Sequence, residues 1–94
     1  MGVRYGFCCT SCGYTATRCG GTEFGRREAQ STVHCTPCAE LYDVVLARFG
    51  NGREVLVPAC PKDSVHAVAL WQQPGPCPKC STVLAAQGLA ELWD

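Results

Sequence analysis

Isoleucine is missing altogether from this chain of 94 residues, and methionine occurs once. No run of about 18 apolar residues exists, so no membrane-spanning helix is expected. Met1 to Phe7 holds one Arg and no apolar block of the signal-peptide kind, which predicts a cytoplasmic protein with reduced thiols. Net charge is lacking as well: eight basic and eight acidic residues sum to zero. That excludes charge-driven disorder and gives no general attraction for a phosphate backbone. Large apolar side chains are scarce, with nine Val, seven Leu, three Phe, three Tyr and two Trp. A chain this short buries only roughly 60% of its unfolded surface, so such a core is marginal alone. These shortages exclude a large enzyme fold, a coiled coil and a collagen-like repeat.

Cysteine is what the sequence has instead: nine, close to a tenth of the chain. The odd count suits a closed disulfide framework poorly, and paired thiols in a reducing compartment point to metal. Four short segments share one design: Cys9-Thr10-Ser11-Cys12, Cys35-Thr36-Pro37-Cys38, Cys60-Pro61-Lys62-Asp63 and Cys77-Pro78-Lys79-Cys80. The last two are near copies, with Asp63 where the fourth has its second Cys. Cys-x-x-Cys lets a tight turn present two thiolates to one ion while backbone N–H groups offset their charge. After the first pair, Gly13 stands where such a turn often requires a positive φ. Redox motifs share the spacing, so one pair would say little; three intact pairs and a degenerate fourth say metal.

Sequential pairing of these knuckles predicts two sites. Site one takes Cys9, Cys12, Cys35 and Cys38. Site two takes Cys60, Cys77 and Cys80 with a fourth ligand from nearby. His66 is the favoured fourth, since imidazole partners zinc well among thiolates, and Asp63 is the alternative. An interleaved pairing, first with third and second with fourth, is the competing arrangement. Cys8 reads as a spare thiol, Cys19 as a small buried or loop residue, and His34 as an exposed strand residue. Two zinc ions held by seven thiolates and one imidazole would bring the net charge to about −3.

The segments between knuckles read mostly as strands. Leu41 to Phe49, the turn Gly50-Asn51-Gly52 and Arg53 to Val57 form a hairpin signal. His66 to Trp71 reads as a buried strand. Thr82 to Gln87, Gly88 and Leu89 to Trp93 fit a second hairpin or a short amphipathic helix. Gly20 to Ser31 has little periodicity and reads as loop. The expected fold is small, metal-stabilised and mostly β: two tandem units, 1–58 and 59–94, with knuckles on short hairpins.

These residues resemble the zinc-ribbon superfamily, in which two knuckles on hairpins clamp one zinc. Tyr5 to Tyr14, with the Trp93-Asp94 ending, is similar to small bacterial double zinc-ribbon proteins of uncharacterised function. Cys9 to Tyr14 also resembles the opening knuckle of rubredoxins, which implies iron electron transfer as an alternative to zinc. Rubredoxins place Gly after the closing knuckle, whereas Ala39 and Ser81 follow here.

A non-enzymatic zinc protein acting through protein contacts is the leading expectation, because closed coordination leaves no position for substrate. Trp71, Trp93, Phe49 and Tyr42 are its candidate contact aromatics, although filling a thin core is the role such residues more often have. Nucleic-acid binding is the second reading, with Arg18, Arg26 and Arg27 beside Tyr14 and Phe24 as its surface. Pro76-Cys77-Pro78-Lys79-Cys80 matches half of the zinc-deaminase signature, but Val68 stands where that chemistry needs a Glu two residues after the ligand His.

Overall fold

A computed structural model describes residues 2–50 and 52–93. Ten strands and no helix lie among them: β1 (Gly2–Cys8), β2 (Thr15–Arg18), β3 (Thr22–Phe24), β4 (Glu28–Cys35), β5 (Glu40–Gly50), β6 (Gly52–Val55), β7 (Val68–Leu70), β8 (Gly75–Pro76), β9 (Val83–Leu84) and β10 (Ala86–Trp93). One antiparallel sheet has the order β10-β1-β2. A second runs β3-β4-β5-β6, with β7 also paired to β4, and β8-β9 is a separate two-stranded ribbon.

The hairpin expected at Gly50-Asn51-Gly52 is present as β5–β6, with Gly50 opposite Gly52; Asn51 itself lies outside the described residues. Its first strand is rich in Leu, Tyr and Val, which suit a pleated surface. Three expectations are corrected. Gly20 to Ser31 is not loop but contains β3 and the start of β4. Its buried positions are Gly20, Ala29 and Ser31, residues too small or polar to give an apolar period. Nor does the chain turn back at Gly88: β10 continues past it, with Gly88 opposite Gly6 in β1 and a register shift in the ladder on either side. Both the second hairpin and the helix are thereby replaced by one long strand. Finally, the chain does not divide at residue 58, because the β1–β10 and β4–β7 ladders both cross that point.

The apolar core is compact and lies where these ladders meet. Phe7, Tyr14, Leu41, Trp71 and Leu84 are buried together with Cys9 and Cys77. Phe7 meets Trp71 edge-on, with centroids 5.5 Å apart, and the Trp71 indole N–H donates to the Pro76 carbonyl at 2.9 Å. Of its two readings, contact aromatic or core, Trp71 is therefore core.

A polar clamp joins the two large sheets beside this core. Arg4 in β1 donates to Asp43 in β5 (3.1 Å), to Glu91 in β10 (2.8 Å) and to Gln30 in β4 (2.9 Å). Asp43 also accepts from the Cys19 N–H at 3.0 Å and from the buried Thr32 hydroxyl at 2.6 Å. Four of the five polar side chains in this clamp come from different strands, so the carboxylate of Asp43 sets how the sheets sit together. Asp43→Ala strips Arg4, Thr32 and the Cys19 N–H of their shared acceptor at a site where Asp43 is only 10% exposed. Chemical denaturation should show a loss of about 3 kcal/mol, whereas Arg48→Ala, whose ion pair with Glu54 is exposed, should change stability by under about 1 kcal/mol.

Candidate metal centres

Each knuckle sits where a strand ends and must turn. Cys9 and Cys12 lie between β1 and β2, Cys35 ends β4 with Cys38 in the turn to β5, and Cys77 and Cys80 lie between β8 and β9. Cys60 and His66 lie in the segment joining β6 to β7. In the first knuckle the Cys9 N–H bonds the Tyr14 carbonyl at 2.8 Å and the Gly13 N–H bonds the Cys9 carbonyl at 2.9 Å. The fourth repeats this: Cys77 N–H to Thr82 carbonyl at 2.8 Å, and Ser81 N–H to Cys77 carbonyl at 2.9 Å. Knuckles one and four are thus conformational twins.

The residue after the closing Cys turns left-handed in all three intact knuckles. Gly13 has φ +80°, as its position suggested, and Ala39 and Ser81 have φ +50° and +67°. The last two are side-chain-bearing residues in a region that costs them about 1 kcal/mol or more. Ala39 and Ser81 therefore make the same turn as Gly13 at a higher conformational cost.

The knuckles assemble into two groups. Cys9, Cys12, Cys77 and Cys80 form one, and Cys35, Cys38, Cys60 and His66 form the other, with the donor atoms of each group within 4.8 Å of one another. All eight expected donors are therefore gathered in two groups, but the pairing is neither sequential nor interleaved. It is nested: first knuckle with fourth, second with third. The physical reason is strand pairing. Lying β10 along β1 carries the fourth knuckle to the first, and lying β7 along β4 returns the segment holding Cys60 and His66 to the second.

Distances within the groups suit a tetrahedral ion. Bonds of ~2.3 Å to sulfur and ~2.0 Å to nitrogen imply tetrahedron edges of about 3.8 Å between sulfurs and about 3.6 Å between sulfur and nitrogen. In the outer group Cys9 Sγ lies 3.5 Å from Cys80 Sγ, and Cys12 Sγ 3.7 Å from Cys77 Sγ. In the inner group Cys38 and Cys60 sulfurs are 3.8 Å apart, and His66 Nδ1 is 3.6 Å from Cys35 Sγ and 3.5 Å from Cys38 Sγ. None approaches the ~2.05 Å of a disulfide.

Of the two candidates for the fourth ligand of the inner group, His66 is in the group and Asp63 is not. Asp63 instead shapes the turn. Its carbonyl accepts the His66 N–H at 3.0 Å, its carboxylate accepts the Val65 N–H at 3.0 Å, and a carboxylate oxygen lies 3.8 Å from His66 Nε2. That places the carboxylate on the far side of the ring from Nδ1, in position to orient a ligand imidazole.

One thiol in each group is primed for ionisation. Burial opposes ionisation of Cys60, but the N–H groups of Asp63 and Lys62 and the His66 side chain outweigh it and bring the pKa down to about 6. Thr82, through its hydroxyl and its N–H, brings Cys80 down to about 6. Burial instead pushes Cys35 up to about 11. Within the two groups Cys80 and Cys60 are thus shifted toward the thiolate that a metal would need, and Cys35 away from it.

The remaining sequence candidates lie elsewhere. Cys8 is exposed and outside both groups. Cys19 is buried, and burial together with the nearby Asp43 charge pushes its pKa up to about 12. His34 pairs with Leu41 and Ala69 within the sheet, half-buried and outside both groups. The proposed basic surface is dispersed. Tyr14 is buried and donates to Glu40, and Arg18 donates to the Leu41 and Thr17 carbonyls, away from Arg26 and Arg27 on the β3–β4 turn.

No family model, curated protein or solved structure matches the chain, so its likeness to zinc ribbons rests on the knuckles themselves. The two groups are geometrically consistent with zinc-ribbon-like sites. No helix among the described residues is long and apolar enough to cross a membrane.

Two outcomes follow from the knuckle geometry. Ala39→Gly and Ser81→Gly should each raise thermal stability by about 0.5–1 kcal/mol, because the left-handed turn is then unstrained; a loss in either would show that the turn relaxes on metal binding. In the metal-loaded protein, iodoacetamide followed by peptide mapping should label Cys8 first and leave Cys19 unlabelled until denaturant is added.

Proposed function

We propose that this protein is a non-enzymatic scaffold carrying two structural zinc ions, whose surface serves protein contacts. The observation that carries the reading is the nested pair of four-donor groups at tetrahedral spacing. Four thiolates, or three thiolates with one imidazole, are the donor sets of structural zinc, and four protein ligands leave no position for water or substrate. Cys9, Cys12, Cys77 and Cys80 would hold one ion, and Cys35, Cys38, Cys60 and His66 the other. Each ion would supply Lewis acidity only to its own thiolates, contributing folding free energy and no chemistry.

The chain's own residues account for the rest. Thr82 and the Asp63–Lys62 backbone favour the thiolate at Cys80 and Cys60. Lys79 stands over the Tyr14 ring at 5.9 Å, tying the fourth knuckle to the core beneath the first. The thin apolar core lies against the outer group, so metal and core support one another. Iron would fit the same thiolate geometry, and the imidazole in the inner group favours zinc.

Native mass spectrometry with elemental analysis of the same sample tests this reading, with two zinc ions per chain expected. Cys12→Ser and Cys80→Ser should each lose the outer ion, Cys38→Ser and His66→Ala the inner one, and Asp63→Ala neither. Iron in place of zinc would move electron transfer ahead of the scaffold. Loss of the same ion from Cys12→Ser and Cys38→Ser would restore sequential pairing.

A further inference from the structure

One row of residues crosses the four-stranded path of the larger sheet on a single face. Phe24 in β3 stands opposite Ala29 in β4, Ala29 opposite Ala47 in β5, and Ala47 opposite Val55 in β6. The two alanines are buried, at 2% and 5% exposure, while Phe24 and Val55 at the ends of the row are 61% and 72% exposed. Small residues in the middle and large ones at the ends make a trough, and Leu56 and Leu70 close its side. Its volume is about 310 Å³, room for one or two apolar side chains.

Cations stand at one end of this trough. Arg53 lines it, two residues before Val55 on the same face of β6. Arg27 lies two residues before Ala29, and its carbonyl extends the ladder by accepting the Phe49 N–H at 2.7 Å. Neither guanidinium has a carboxylate partner among the described residues.

The same two β6 residues hold its open backbone. Leu56 N–H bonds the Leu46 carbonyl at 2.8 Å, so position 56 faces β5. N–H and C=O groups alternate sides along an antiparallel strand, which turns those of Arg53 and Val55 outward to the edge. β6 ends the path β3-β4-β5-β6, and no strand among the described residues covers that edge. A second copy suits it poorly. A two-fold through Glu54 or Arg53 sets like charges directly opposite, which destabilises a pair. A two-fold through Val55, where β6 ends, leaves Arg53 facing a residue beyond the strand.

We infer that the β6 edge and its trough bind an extended peptide segment of a partner protein reading apolar–x–acidic. Added antiparallel to β6, such a segment exchanges backbone hydrogen bonds with Val55 and Arg53. Its apolar side chain packs on Val55 at the open rim of the trough, and its carboxylate two residues later faces Arg53, with Arg27 two strands further in adding only longer-range attraction. This inference rests on the protein-contact reading proposed above and names the chemistry of the contact.

The test uses the full zinc-loaded chain, labelled with nitrogen-15, and the blocked peptide acetyl-Thr-Thr-Leu-Lys-Asp-Thr-Thr-amide at up to about 5 mM. Its Lys would face Glu54. Saturable shifts of the Arg53 and Val55 amides are expected. Arg53→Glu should weaken binding about fivefold or more. Val55→Pro removes one outward N–H and no bond to β5, so it should abolish the shifts while the rest of the spectrum is retained. Shifts elsewhere, no shifts, or binding indifferent to Arg53→Glu would overturn the inference. Zinc content of the same sample separates the two readings: two zinc ions without these shifts sink the peptide site alone, whereas a zinc-free folded chain sinks the scaffold.

Discussion

The nested closure of the two donor groups is the constraint on which everything else here depends. The inner group ties Cys38 to Cys60 across 21 intervening residues, and the outer ties Cys12 to Cys77 across 64. Loop-closure entropy alone makes the longer closure about 1 kcal/mol harder. With the inner group formed, the outer one closes a much shorter effective path. The ladders act in the same direction, since β4–β7 lies inside β1–β10. Local and long-range structure therefore agree on one topology, with the clamp at Asp43 fixing how the two sheets meet.

The two groups also sort residue types along the larger sheet. Along β4, the knuckle end at Cys35 and the turn end at Glu28 are seven residues apart, roughly 23 Å of strand. Seven of the nine thiols gather in the two donor groups, while Arg26, Arg27, Arg48 and Arg53 gather on the turns at the other end of the sheet. A chain of zero formal charge thus gathers most of its thiols at one end of this sheet and four of its arginines, interspersed with Glu28 and Glu54, at the other. Composition alone hides this, because a sum over residues carries no positions.

What could be read from the sequence follows the range of the interaction behind it. Knuckle spacing is a local property, so all eight donors, the positive φ at Gly13 and the β5–β6 hairpin were legible. His66 was favoured over Asp63 by ligand chemistry, and it is His66 that joins the inner group. Pairing was not legible, because it depends on β10 finding β1 from more than 70 residues away. Sequential pairing offers shorter loops, and only the summed ladder hydrogen bonds outweigh that preference. The β3–β4 region was hidden for another reason. Thr32 and Ser31 are buried there with hydroxyl partners in Asp43 and Thr22, so its core is satisfied by hydrogen bonds and shows no apolar alternation. Gly88 misled as a turn signal because β10 absorbs it as a strand residue facing Gly6, with a register shift in the ladder on either side of the pair.

Gly2 and Trp93 are ladder partners, with the Trp93 ring packed so closely on Gly2 that a Cβ there would overlap it. The polypeptide accordingly enters and leaves the fold side by side. A unit with that geometry behaves as a cassette: spliced into a surface loop of a host protein, it would demand no span between its attachment points. Joining those two ends by a short bridge and opening the backbone at the Gly50–Gly52 turn would give a circular permutant with both donor groups undisturbed.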